Sequence, residues 1–414
     1  EGKNVTVLNT DAVKDANGTP LTGGAVTIRS EDAPHIGYDV GNKITKNIKV
    51  GTTPTPYQVS DYASTAADHH KASAKSRGWD VANLSGAAHT DYDYMRVHDV
   101  YDLQNINANR FGSYILAKDI DDGSVTKDWN SGEGFVPLGS DYAQFSGRFD
   151  GARHTITGLY IRWDENYTGL FGCTIDAHIE NLSLVDGYVE GLGRVGGIVG
   201  SAKGTVIRNV SYAGRVYGGQ SVGGIVGRMR GGSIQNAWHA GAVRGTGQFL
   251  VGGIVGVAGV NAVIQNVCNT GAVTGNNYVG GIVGLIGDST IQNVWNTGAV
   301  TGNQKVGGIV GEAEAGGATL RHAVWKSGSA GQAVGSSING ADVTTDVKVA
   351  AEAQMKLAAT YTDWKDANGT ALVATEGGVG TPWRIYEGKT MPLLTGLMKG
   401  TKRLEKVYDG NVFA

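Results

Sequence analysis

Two cysteines in 414 residues are too few to staple a chain of this length. Cys173 and Cys268 fall about three sequence repeats apart, too far for the Cα separation of about 5.5 Å that a disulfide needs, so both are expected as free thiols. No stretch approaches 18 consecutive apolar residues, which argues against a helical membrane span. With a formal charge of −3 and no basic run, the chain lacks the electrostatic footprint of a nucleic-acid binder. His-Glu-x-x-His, Gly-x-Ser-x-Gly and the phosphate-cradling Gly-x₄-Gly-Lys are all missing. The first residues, Glu1-Gly-Lys3, carry neither an initiator Met nor an apolar leader, and read as a mature or cut fragment.

Glycine, by contrast, is abundant: 66 residues with no Gly-X-Y period, which excludes collagen. Many of these glycines belong to one phrase, Val195-Gly-Gly-Ile-Val-Gly200, repeated at 222–227, 251–256, 279–284 and 306–311. Its first glycines (196, 223, 252, 280, 307) are spaced by 27, 29, 28 and 27 residues. A near-constant period of this size means stacked copies of one unit.

A second phrase shares the period: Ile207-Arg-Asn209, Ile234-Gln-Asn236, Ile264-Gln-Asn266 and Ile291-Gln-Asn293. Five residues after each Asn comes a glycine, as in Gly241-Ala-Val243 and Gly271-Ala-Val273. One period thus holds three short Val/Ile-rich runs bounded by turn formers, which predicts three strands and no helix. Stacked in register, such units make a right-handed parallel β-helix with rungs about 4.8 Å apart. The glycines are expected at corners, and the recurring Asn residues at one corner, forming an amide ladder.

Along the chain, residues 1–60 read as irregular rungs and 61–95 as a surface excursion, rich in Ala, Ser, Lys and His between 61 and 86. Residues 96–345 form the β-helix, regular over 195–311, 346–400 a closing segment, and 401–414 the start of a further module. Val349–Ala359 carries strong helix formers and predicts a short helix that caps the open rung edge. His69-His70 beside Asp68, with His89 and His98, match no ligand spacing of known geometry and read as solvated. Lys365-Asp-Ala-Asn-Gly-Thr370 repeats Lys14–Thr19 closely and reads as an Asn-Gly turn rather than a calcium loop.

The ordered segments around the repeats resemble those of a known family. Val100–Ile106, Gly112–Asp121, Gly134–Gly139 and Phe145–Leu159 look like the entry segment of GLUG-repeat proteins, and Gly169-Leu-Phe-Gly172 with Ile179-Glu-Asn181 like a degenerate first copy. Thr381-Pro-Trp-Arg-Ile-Tyr-Glu-Gly388 and Met391–Leu394 resemble the closing segment of such arrays. The family comprises large secreted bacterial exoproteins similar to filamentous-haemagglutinin-like, two-partner-secretion adhesins. What the resemblance implies is a passenger segment exported through an outer-membrane transporter to the surface of a Gram-negative bacterium.

Catalysis on such a scaffold needs carboxylates converging from neighbouring rungs. Between Gly191 and Gly311 the only acid is Asp288, and Arg208, Arg215, Arg228, Arg230 and Arg244 are scattered; Asp119–Asp122 reads as a solvated turn. No enzyme and no cofactor is therefore expected; a polysaccharide- or protein-degrading enzyme is the alternative. Trp238 and Trp295 follow their corner Asn by two residues, with Cys268 in the same column, and Tyr212 follows its own by three. If the residue after each Asn points inward, alternation sends Trp238 and Trp295 outward, where they would stack on a sugar or a partner protein; an inward core column is the competing reading. The expected function is an adhesin stalk presenting loops (61–86 and 114–134) and an aromatic face, Trp238, Trp295 and Tyr212, to host or matrix glycans or proteins. A host iron- or haem-protein capture module working through 61–86 is a further alternative.

Overall fold

The computed structural model describes residues 81–83 and 93–398, except 248–249, 315, 338–343, 367 and 376–380. The expectations for residues 1–60, for 61–80 of the excursion with His69 and His70, for His89 and for 401–414 lie outside the described residues, whereas Val81–Asn83, within the expected excursion, is a strand paired antiparallel with Asp93–Val97.

The chain winds into a right-handed parallel β-helix of about seven turns. One turn consists of Val199–Lys203, then Val206–Gly218, then Ser221–Gly223, each on a different parallel sheet. The period read from the sequence is the spatial register. Val222 lies opposite Val195 and Val251, Val226 opposite Val199 and Val255, and Ile234 opposite Ile207 and Ile264. Ile198, Ile225, Ile254, Ile282 and Ile309 are all fully buried, so each rung is sealed by its neighbours. Burial of such a side chain is worth about 1.5–3 kcal/mol, and no rung gains it alone.

The Val-Gly-Gly-Ile-Val-Gly phrase bends around a corner, its first Val on one sheet and its second on the next. None of its glycines has positive φ. Close approach is what excludes a side chain there. A Cβ on Gly224 would lie 2.2 Å from the Gly253 carbonyl oxygen and 2.4 Å from the His239 ring. In successive rungs the second glycine faces Tyr212, His239, Asn269, Asn296 and Trp325 in turn. These five residues form one inward column in the opposite strand. The two phrases are therefore complementary across the lumen: glycine on one side makes room for a large or polar group on the other.

That column carries buried hydrogen bonds. Asn269 Oδ1 accepts from the Gly271 N–H at 3.1 Å, and its Nδ2 donates to Asn296 Oδ1 at 2.9 Å. His239 Nδ1, 2.9 Å from the same Asn269 oxygen, must then be the donor, which fixes the neutral Nδ1–H tautomer. Burial pushes the His239 imidazole down to about 4, against the opposing pull of Asn269 and the Gly214 carbonyl.

The corner ladder forms as expected. Asn181, Asn209, Asn236, Asn266 and Asn293 all adopt φ between 53° and 57°. Each amide nitrogen from Asn209 to Asn293 donates to the oxygen of the Asn one rung earlier, at 2.9 to 3.2 Å. The ends are matched to this polarity. Asp150, an acceptor, receives Asn181 Nδ2 at 3.0 Å, and His322 Nδ1 reaches Asn293 Oδ1 at 3.1 Å.

The closing segment departs from the expected end cap. Val349 and Ala350 extend the last strand, paired with Trp325 and Lys326, so the predicted helix shrinks to one turn at Glu352–Met355 followed by a 3-10 turn at Ala358–Tyr361. The chain then runs back along the side of the β-helix. Its own small core of Met355, Tyr361, Trp364, Trp383, Ile385 and Leu394 packs on Cys268, Trp295 and Val324, which belong to three successive rungs. Farther down, Gly396 sits against Asn209, and the Met398 carbonyl accepts from Arg153. In the Lys365–Thr370 loop the Asp366 carboxylate is used inside the turn, accepting from the Asn368 and Thr370 N–H groups at 2.8 Å each. Both cysteines are free and buried, and burial pushes the Cys173 thiol up to about 12.

Two outcomes follow. Asn266→Ala loses both the ladder bonds and a side chain tolerant of positive φ, whereas Asn266→Gly loses only the bonds; the expected costs are about 2 and 1 kcal/mol in urea unfolding. Equal costs would contradict the conformational part. For His239 the folded chain binds its proton less readily than the unfolded one, so stability is complete above about pH 6.5 and falls as pH drops toward 4, by about 3 kcal/mol in total. His239→Asn, which places the residue found in the next two rungs, is expected to flatten unfolding midpoints measured across that window.

Candidate functional site

The three aromatic residues proposed from the sequence part company in the structure. Ala237, Val267 and Val294 point inward and Trp238, Cys268 and Trp295 outward, as the alternation requires. Tyr212 lies one position on and is fully buried, stacked on His239 with centroids 6.0 Å apart and its hydroxyl donating to the Arg215 carbonyl. Trp295 is covered by the closing segment; its Nε1 donates to the Pro392 carbonyl at 3.2 Å, and its ring lies 6.5 Å from that of Trp383. Neither Tyr212 nor Trp295 offers a surface to a ligand. Trp238 is 36% exposed, at the margin of the closing segment, with Nε1 donating to Thr270 Oγ1. The outward column is thus largely a seat for the chain's own C-terminal part.

Of the loops expected to present binding groups, 114–134 is pinned to the core at several points, while Lys118, Asp121, Lys127 and Asp128 among others stay exposed. Trp129 and Thr126 are buried, and Trp129 stacks on Phe135. Asp119 Oδ1 accepts from the Thr155 N–H at 2.8 Å.

A recess forms where the early rungs break the period. Two loops border it. One is the Ser140–Ala143 turn, closed by reciprocal backbone bonds of 3.0 and 3.2 Å. The other runs from Trp163, the last residue of the strand Tyr160–Trp163, to Tyr167. Tyr167 has φ of 68°, and the Arg194 guanidinium lies over its ring at 4.8 Å. The Glu165 carbonyl accepts from the Leu192 N–H at 3.1 Å, which ties this loop to the next rung.

Between the loops lies a groove of about 480 Å³. Tyr142, Trp163 and Tyr167 supply rings, and Leu192 a further apolar wall. Asp141, Asp164, Glu165 and Asn166 supply oxygen acceptors, all exposed. The three carboxylates make no side-chain hydrogen bond or ion pair with a described residue, and Tyr142 is 97% exposed. Flat apolar faces among unengaged acceptors are the equipment for holding a polyhydroxylated ring.

Acid–base chemistry would need a carboxyl tuned by its surroundings. Asp99 is held up at about 6 by burial, then by Asp102 and Asp122. It sits outside the groove and caps the helical turn Val100–Asn105, accepting from the N–H groups of Tyr101 and Asp102 at 3.0 and 2.8 Å. Its environment is accounted for by that cap.

No protein-family model matches the chain. It is 33% identical over 208 residues, 44% of its length, to Halomucin from Haloquadratum walsbyi, and spans only 2% of that protein. Among solved structures it resembles a Bacteroides ovatus crystal structure provisionally assigned as an immunoglobulin A1 protease, at 18% identity and a TM-score of 0.48, over 74% of this chain and 94% of that one.

The different surroundings of the two tryptophans have a direct consequence. Trp295→Ala is expected to cost about 3–5 kcal/mol, through the cavity and the lost bond to Pro392, whereas Trp238→Ala costs under about 1 kcal/mol. Chemical denaturation of the two variants compares them; equal losses would contradict the covering role of the closing segment.

Proposed function

We propose that this chain is a rod segment of a large extracellular adhesin that binds glycans of a host or matrix surface through the groove between residues 140–142 and 163–167. The groove carries the reading: three aromatic residues and three unengaged carboxylates gather at one recess of a rod whose regular rungs are filled with Val and Ile. The fold supports it as well. A solenoid grows along one axis and holds its loops at fixed spacing, as a stalk requires. Similarity to a small fraction of a much longer protein is in keeping with a segment of a long array. The ordered resemblance to GLUG-repeat, two-partner-secretion exoproteins extends the proposal to export from a Gram-negative cell.

A glycan array probed with the purified chain tests it. Wild type is expected to bind a restricted set of glycans. Tyr142→Ala and Trp163→Ala are each expected to weaken binding by about 3- to 10-fold, the worth of one stacked ring. An array silent for wild type, or unchanged for both variants, would contradict the proposal.

A further inference from the structure

The arginines that look scattered in the sequence are brought together by the register. Lys203 lies opposite Arg230, and Arg228 opposite Ser201, on the adjacent strands Val199–Lys203 and Val226–Arg230. Arg194 begins the strand Arg194–Gly196 around the corner. A Cβ on Gly227 would lie 2.8 Å from the Arg194 carbonyl carbon, so the backbone one residue before Arg228 runs beside that of Arg194. Arg228 stands between like charges: burial, then Arg194 and then Arg230 hold it below the usual arginine range.

None of these four side chains pairs with a carboxylate among the described residues, although cations elsewhere on the rod do. Arg208 meets Glu180 at 2.6 Å, and Lys305 meets Glu312 at 2.6 Å. From Gly191 to Gly287 the sequence contains no Asp or Glu, so these rungs supply no counterion of their own. In the next rung the same columns hold Val257 and Gly259, which bounds the cationic patch to two rungs.

We propose that Arg194, Lys203, Arg228 and Arg230 form a binding site for an anionic polysaccharide, one bearing sulfate or carboxylate groups along its chain. Like charges set together without partners cost free energy that a ligand's anions return, and guanidinium forks suit planar or tetrahedral oxyanions. The four cations leave separate strand positions on two adjacent rungs, so each can meet a different oxyanion. This arrangement favours a polyanion over a single ion. The site is distinct from the groove and does not depend on the groove's binding a glycan; Tyr167, under Arg194, is their common border.

The test measures binding of the full chain to immobilised dextran sulfate, polygalacturonate, neutral dextran and single-stranded DNA. The triple variant Arg194→Ser, Arg228→Ser, Arg230→Ser is compared with wild type; serine already occupies the Arg194 and Arg228 columns one rung away, at Ser221 and Ser201, so the fold is expected to tolerate it. Wild type is expected to bind dextran sulfate or polygalacturonate in a salt-sensitive manner, and not neutral dextran. Whichever of the two binds more tightly identifies sulfate or carboxylate as the recognised group. The triple variant is expected to lose about 30-fold or more in affinity, while Arg208→Ser, whose cation is already paired, loses less than about 3-fold. Undiminished binding by a folded triple variant, an equal loss in Arg208→Ser, no binding of either polyanion by wild type, or tighter binding of DNA than of both polysaccharides would each overturn the proposal.

Discussion

The structure depends on how closely the backbone approaches itself at the corner made by the paired glycines. There, each rung's carbonyls lie within 2.2 to 2.5 Å of where a Cβ would stand on Gly197 and Gly224 of the neighbouring rung. Only a residue without a Cβ fits such a corner, and repeating it every 27–29 residues forces every turn into the same path. The opposite strand answers with Tyr212, His239, Asn269, Asn296 and Trp325, whose bulk or amide fills the space the glycines clear. Backbone, Ile/Val core and corner amides then repeat in phase. Every local preference agrees with the global path, as expected of a chain that folds to one state.

The lumen is closely packed, and the recesses lie where the period breaks. The early rungs insert 140–142 and 163–167 outside the stack, and the groove appears between them. The regular rungs vary at outward positions and in the one inward column that faces the paired glycines, and between Gly191 and Gly287 they carry basic residues and no acids. The third break is the closing segment, which seals the outward column at Cys268, Trp295 and Val324.

Much of the architecture is legible in the sequence because it is local and repeated. The period gives the register, the Val/Ile runs give three strands per turn, and the Ile-x-Asn phrase gives the corner ladder. The fates of Trp238, Trp295 and Tyr212 are less legible. Strand alternation assigns the first two outward correctly, yet Trp295 is buried by Pro392, a partner 97 residues away that no periodicity encodes. Tyr212 is inward because it sits one step further along the strand. The groove unites two loops about twenty residues apart in an aperiodic stretch; its only sequence signal is the acidic and aromatic run Trp163-Asp-Glu-Asn-Tyr167 just before the repeats begin. The basic patch is hidden because Arg194, Lys203, Arg228 and Arg230 become neighbours only once the register is known.

The central claim is that one sequence period advances the chain by one strand spacing along a single axis. Spin labels on outward positions of one column measure this directly by pulsed electron resonance. Arg208 and Arg321 are separated by four register steps, and Glu180 and Thr345 by six. The account predicts mean separations of about 19 and 29 Å, apart from the label linkers, a difference of about 10 Å. A difference near zero, or one near 20 Å as when each period spans two strand spacings, would contradict it.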